Sequence, residues 1–129
     1  MKLKPVRVKG DIFWAELTKK NKNTNKYQVA ICNLSDEAVT RLEDAGLSVH
    51  SSPDKPDQGK YITPKSSNYE IKAYDEAGNE ITCKIKNGSK GIATIKPYVN
   101  GFDKGINAGI SAITVTDLIE YNEADMEAV

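Results

Sequence analysis

Side chains that could carry out catalysis together are scarce in this sequence. His50 is the only histidine, and no Gly-x-Ser-x-Gly, P-loop or HExxH motif is present. The adjacent carboxylates Asp36–Glu37 and Asp75–Glu76 fall at a helix start and at a turn, where solvated capping explains them better. We therefore expect no enzymatic activity, no bound metal and no cofactor.

Lysines beside aromatic residues are the more informative pattern. Proteins that bind single-stranded nucleic acid combine a cationic groove with aromatic faces on which bases stack, at ~1–3 kcal/mol per base. The competing interpretation is a set of ordinary core aromatics beneath a solvated lysine surface. This core interpretation is favoured for Trp14 and Tyr27, which lie within apolar runs. It has less weight for Tyr61, Tyr98 and Phe102, which are flanked by polar and turn residues.

The candidate binding residues divide by chemistry into two groups. The phosphate-binding candidates are Lys26, Lys60, Lys65, Lys90, Lys96 and Lys104. The base-stacking candidates are Tyr61, Tyr98 and Phe102, with Trp14 as a further member. Only Arg7 and Arg41 are available for bidentate contacts to base edges, so binding should tolerate any base sequence.

Charge is unevenly distributed along the chain, although the formal net charge is +0. All 18 lysines and arginines precede residue 117, whereas the last thirteen residues contain five acids and no base. A positive body favours a polyanionic ligand, and a negative end favours a segment that competes with that ligand. The acids beyond residue 121 are Glu123, Asp125 and Glu127.

Length and composition indicate one domain outside membranes. The 129 residues suffice for one core, and no apolar run approaches the eighteen residues that a membrane span needs. Cys32 and Cys83 lie in apolar strand-like runs, where a buried reduced thiol is the favoured interpretation over a disulfide. We expect a cytosolic protein with a domain at residues 1–121 and a disordered acidic tail at residues 122–129.

Hydrophobic periodicity predicts a mainly β fold with about seven strands, which include residues 69–75 and 80–86. Alternating or continuous apolar stretches precede Gly and Asn turns through most of the chain, which is typical of a barrel or sandwich. One helix is predicted at about residues 36–45, with Ser35 as N-cap and Gly46 after its end. Glycines 105 and 109 are expected to mark a bulge or bend at a barrel corner.

The whole chain resembles a family of single-stranded-DNA-binding proteins encoded by tailed phages. The matching residues occur in order along its length: Phe13-Trp14-Ala15, Asn25-Lys26-Tyr27-Gln28-Val29, Cys32-Asn33-Leu34-Ser35, Tyr61-Ile62-Thr63-Pro64-Lys65-Ser66, Asn87-Gly88-Ser89 and Val115-Thr116-Asp117-Leu118-Ile119-Glu120-Tyr121. The resemblance implies an OB-fold-like barrel of about five to seven strands with one helix and an acidic C-terminal tail.

The resemblance also implies a function. Such a protein binds single-stranded DNA during phage DNA replication, recombination or repair, in the cytoplasm of the infected bacterium. Its tail recruits a polymerase, helicase or primase and competes with DNA, and a homodimer is compatible with this design. Better-known members end in an aromatic residue, whereas this chain ends in Glu127-Ala128-Val129. The alternative is a small phage β-barrel that binds a host protein as an adaptor or inhibitor.

Overall fold

The computed structural model describes residues 4–51, 54, 58–66, 69–82, 85–99 and 106–119. These residues form one helix and nine strands. The elements are β1 (Val6–Glu16), β2 (Tyr27–Cys32), α1 (Asp36–Asp44), β3 (His50–Ser51), β4 (Lys60–Tyr61), β5 (Lys65–Ser66), β6 (Lys72–Asp75), β7 (Ser89–Val99), β8 (Ile106–Gly109) and β9 (Ala112–Asp117). Within this described part, no helix is long and apolar enough to cross a membrane.

Two eleven-residue strands, β1 and β7, hold the sheet together. They pair antiparallel from Val6 opposite Ile95 to Ile12 opposite Ser89. From Ser89 to Pro97 every second residue of β7 is buried, which is the period of a strand with one face on the core. The first half of β7 also pairs with β9, and its second half pairs with β8.

The strand order closes on itself. Neighbouring strands follow the order β1-β2-β5-β8-β7, and the direct pairing of β7 with β1 completes a five-stranded barrel. Strand β9 continues the sheet beyond β7, and β6 adds to β9 in parallel. This is an OB-fold-like barrel with extra strands, and the predicted fold class is confirmed.

Aliphatic side chains from β1, β2, β7 and β9 meet in one core cluster with Ile62, and Ile106 and Ala108 of β8 pack against it. α1 contributes Ala38, Val39 and Leu42 to that cluster. Large side chains with less than 2% exposure include Ile12, Ile31, Leu42, Ile71 and Ile95. Cys32 is also fully buried, whereas Cys83 lies outside the described residues.

The predicted helix is confirmed with its caps. Ser35 Oγ accepts a hydrogen bond from the backbone N–H of Ala38 at 3.1 Å, which satisfies one of the unpaired donors of the first turn. Gly46 has φ +85°, the left-handed conformation in which glycine carries no Cβ penalty.

Three local expectations differ from the structure. The sequence predicts a strand at residues 80–86, but their described part forms isolated bridges, such as Tyr74 with Glu80. The predicted strand at residues 69–75 begins only at Lys72, and Tyr69 is 76% exposed. Trp14 is 52% exposed, so its apolar neighbours do not place it in the core.

Candidate nucleic-acid interface

The candidate site begins with the ladder between β2 and the segment 60–66, which contains β4 and β5. Gln28 pairs with Lys65 and Ile31 pairs with Ile62, so one register runs through the whole segment. Because both isoleucines are buried in the core, the alternate residues point to the outside of the barrel. We call this outer surface the β2 face; the residues that define it are Phe13, Gln28, Tyr61, Thr63 and Lys65, together with Ala30, which is opposite Phe13 and is itself buried.

Two aromatic residues of β1 meet the edge of the β2 face. Phe13 pairs with Ala30, and the register then shifts before Glu16. Within that irregularity Trp14 has φ 51°, and its backbone N–H donates to Asn87 Oδ1 at 2.8 Å. The Phe13 and Trp14 rings lie 6.3 Å apart between centroids. The bulge therefore turns the indole toward solvent beside the face.

Tyr61 supplies an aromatic ring at the other edge of the β2 face, across β2 from Phe13 and Trp14. It pairs with His50 across β3 and β4, and the two ring centroids are 5.9 Å apart. Tyr61 is half-buried, while His50 is exposed. The phenol ring is thus supported by the imidazole and still reachable from solvent.

Two lysines concentrate positive charge at one end of the face. Partial burial, and secondarily repulsion from Lys26, lowers the pKa of Lys65 below its usual range. Lys65 Nζ donates to the Thr63 carbonyl oxygen at 3.5 Å. An anion bound between the two ammonium groups would offset their mutual repulsion and favour the charged form of Lys65.

The lysine row continues onto β8 and β7. Lys65 pairs with Gly109, which in turn pairs with Lys96. A Cβ atom at Gly109 would lie 3.1 Å from Tyr98 Cδ1 and 3.1 Å from the Lys96 carbonyl oxygen. The Tyr98 ring therefore lies over the glycine on the outer surface, with 37% of the residue exposed. Absence of a side chain at residue 109 permits this close approach.

Two of the predicted lysines are placed differently from the others. Lys90 Nζ donates to Asp11 Oδ1 at 3.0 Å, so its charge is already paired. Lys60 pairs with Ser51 and precedes Tyr61, and adjacent residues of a strand point to opposite sides. Phe102, Lys104 and the tail acids Glu123, Asp125 and Glu127 lie outside the described residues.

Phe13, Gln28 and Thr63 belong to the β2 face but are not among the site residues that the sequence predicts. One feature of the sequence could have indicated them: Phe13 alternates with the buried Ile12, and Thr63 alternates with the buried Ile62. The cross-strand pairing that unites them was not readable from spacing. Among the described residues, no group of three or more His, Cys, Asp or Glu side chains could hold a metal ion.

Comparison with known proteins finds similarity in structure at low sequence identity. Neither protein-family models nor curated protein sequences match the chain. The single-stranded DNA-binding protein from bacteriophage Enc34, solved in complex with ssDNA, superposes with a TM-score of 0.67 at 13% identity. That match covers 88% of this chain and 86% of the Enc34 chain.

A second phage protein gives a similar result. The single-stranded DNA-binding protein gp2.5 of bacteriophage T7 superposes with a TM-score of 0.59 at 15% identity. The match covers 97% of this chain and 95% of gp2.5. The chain thus has the fold of these phage proteins over nearly its whole length, in agreement with the resemblance seen in its sequence.

Proposed function

We propose that this protein binds single-stranded DNA of a phage without base-sequence preference and without a chemical step. The observation that carries the proposal is the β2 face, where Tyr61 and Phe13 share one outer surface with Lys65, with Trp14 at its edge and Lys26 close to Lys65. The corresponding surface of OB-folds, together with the loops that flank it, binds oligonucleotides. The solved neighbours named above are themselves single-stranded-DNA-binding proteins.

In the proposed complex, the lysines bind the DNA backbone and the aromatic side chains bind the bases. Lys26, Lys65 and Lys96 neutralise phosphates along the row that crosses β2, β5, β8 and β7. Bases stack on Tyr61 and Trp14, and the Phe13 ring lies 6.3 Å from the indole between centroids. Since every base has a π face, such stacking tolerates any sequence.

Additional contacts are proposed from the connection between β7 and β8. Phe102 and Lys104 belong to it, and the equivalent loop of OB-folds flanks the binding face. Tyr98, at the end of β7, would extend the stacking surface toward this loop. The paired charge of Lys90 and the opposite orientation of Lys60 give these two lysines a smaller role.

The cellular role is part of the same proposal. The protein acts in phage DNA replication, recombination or repair in the cytoplasm of the infected bacterium. Its DNA-binding domain spans residues 1–121, and residues 122–129 form an acidic tail that competes with DNA and contacts a polymerase, helicase or primase. A homodimer is compatible with this arrangement.

Titration of poly-dT oligonucleotides, followed by intrinsic fluorescence, tests the proposal. Trp14 is the only tryptophan, so stacking at the β2 face should quench its emission. Binding should weaken steeply with salt, with a slope of ~0.7 in log K per phosphate contact on single strands. Absence of binding at ~50 mM salt would refute the proposal, and capture of a host protein by a DNA-indifferent chain would favour the adaptor alternative.

A further inference from the structure

The outer surface formed by β1, β7 and β9 is distinct from the β2 face. Arg7 pairs with Thr94, Lys9 pairs with Ile92, and Ile92 pairs with Thr114. The alternate residues of these strands are buried in the core, so the paired side chains project outward. We call this surface the β7 face, defined by Arg7, Lys9, Ile92, Thr94, Lys96 and Thr114.

A shallow depression of about 430 Å³ lies in the β7 face. Its described lining contains two cations, Arg7 and Lys96, and no acid. The hydroxyl groups of Thr94, Ser111 and Thr114 also line it, and Lys96 Nζ donates to Ser111 Oγ at 3.2 Å. Guanidinium, ammonium and hydroxyl donors together suit a phosphate-type anion.

The rest of the β7 face carries acidic as well as basic side chains. Next to the depression, a second hollow is lined by Lys9 and Lys90 but also by Asp11 and Glu76. Lys90 is already bound to Asp11 at 3.0 Å. Among the described residues Lys9 makes no ion pair, so its charge adds to that of Arg7 and Lys96 at the other end of the face.

That positive end is continuous with the β2 face through Lys96. This lysine lines the depression, and it also belongs to the row that runs through Gly109 to Lys65. A chain of phosphates that follows the cations from Lys65 therefore arrives at the depression without crossing an acidic side chain in that row. Continuity and charge together select a nucleic-acid backbone as the occupant.

We propose that Arg7, Lys9 and Lys96 form a second phosphate-binding region, which holds the DNA backbone after it leaves the β2 face. The inference rests on the proposed function and extends its footprint around the barrel. A protein partner fits less well, since protein interfaces have an apolar, aromatic centre. Ile92 is the largest apolar side chain of the depression's lining, and it is half-buried.

The test compares full-length Arg7→Ala and Lys9→Ala variants on short and long oligonucleotides. One OB-fold covers ~4–16 nucleotides, so poly-dT of about 6 nucleotides fits on the β2 face and poly-dT of about 24 nucleotides reaches both faces. Arg41→Ala is the matched control, because Arg41 is exposed on α1 and pairs with Glu37 four residues away. Each variant is also checked by thermal unfolding.

We expect each variant to bind the short oligonucleotide like the wild type and the long one about threefold to tenfold more weakly. The salt slope on the long oligonucleotide should fall by ~0.7 per removed contact. Unchanged affinity for the long oligonucleotide would overturn the inference. An equal loss of affinity for both oligonucleotides would also overturn it, because it would indicate that the replaced residue contacts the tail or acts within the β2 face. Wild-type protein that binds neither length would instead refute the proposed function.

Discussion

At the scale of single residues, Tyr61 is the aromatic side chain whose role can be tested most directly. Its ring contacts His50 and forms part of the β2 face, so it is positioned both to pack and to stack. Replacing it by alanine would remove both contributions at once. Substitutions that keep one contribution and remove the other can separate them.

We predict that Tyr61→Phe binds poly-dT like the wild type and that Tyr61→Leu binds more weakly by ~1–3 kcal/mol. Phenylalanine keeps the π face, whereas leucine keeps apolar bulk without it. Fluorescence titration gives the affinity, and thermal unfolding shows that both variants remain folded. Wild-type affinity of Tyr61→Leu would mean that the ring packs but does not stack.

Trp14 shows why the surroundings of single residues were only partly predictable. It follows Ile12 and Phe13 in an apolar run, and periodicity alone places such a residue at least half in the core. The register shift between Phe13 and Glu16 and the positive φ of Trp14 turn its side chain outward instead. The hydrogen bond to Asn87, 73 residues away, helps to fix that conformation. No local pattern encodes such a contact.

At the scale of secondary-structure elements, the helix was predictable and the barrel closure was not. α1 depends on neighbours in sequence: Ser35 caps it, and its apolar residues follow a helical spacing. The segment 60–66 forms the third strand of the barrel, and it is interrupted at Pro64 because proline lacks a backbone N–H. Only the pairing of this segment with β2 identifies it as one strand. Closure depends on β1 meeting β7, which lie far apart in the chain.

The β7–β8 pair carries a prediction about Gly109. Gly109→Ala would place a Cβ atom 3.1 Å from the Tyr98 ring and from the Lys96 carbonyl oxygen. Overpacking of this kind costs ~1–3 kcal/mol of folding free energy, and displacement of Tyr98 should also weaken DNA binding. Urea unfolding measures the stability change, and fluorescence titration measures the affinity.

A double-mutant cycle with Tyr98→Ala tests the cause. If the Tyr98 ring produces the crowding, Gly109→Ala should cost less in the Tyr98→Ala background, with a coupling of ~0.5–3 kcal/mol. The contact to the Lys96 carbonyl oxygen remains in both backgrounds, so part of the cost persists. Strict additivity would show that Tyr98 does not lie over the glycine.

At the scale of the whole molecule, the zero net charge conceals a division between a cationic barrel and an acidic C-terminal end. The structure shows where the described barrel ends. Ile119 donates its backbone N–H to Ser89 Oγ at 2.8 Å, and its carbonyl oxygen accepts from Lys86 N–H at 2.9 Å. These bonds attach residue 119 to the start of β7, so shortening the chain beyond residue 121 leaves them intact.

We predict that a chain lacking residues 122–129 binds poly-dT more tightly than the full chain, by about fivefold at low salt. Each exposed charge pair is worth ~0.2–1 kcal/mol, and the deletion removes the three acids Glu123, Asp125 and Glu127. The gain should shrink as salt rises, because exposed charges are screened. Thermal unfolding should be unchanged, since the Ile119 bonds remain.

A charge-neutral tail separates charge from length. The triple variant Glu123→Gln, Asp125→Asn and Glu127→Gln keeps all 129 residues and removes the three negative charges. If the carboxylates compete with DNA phosphates for Lys26, Lys65 and Lys96, this variant should match the truncated chain in affinity and in salt dependence. Tighter binding by the truncated chain alone would assign the effect to steric blocking, and equal affinity of all three chains would rule out competition by the tail.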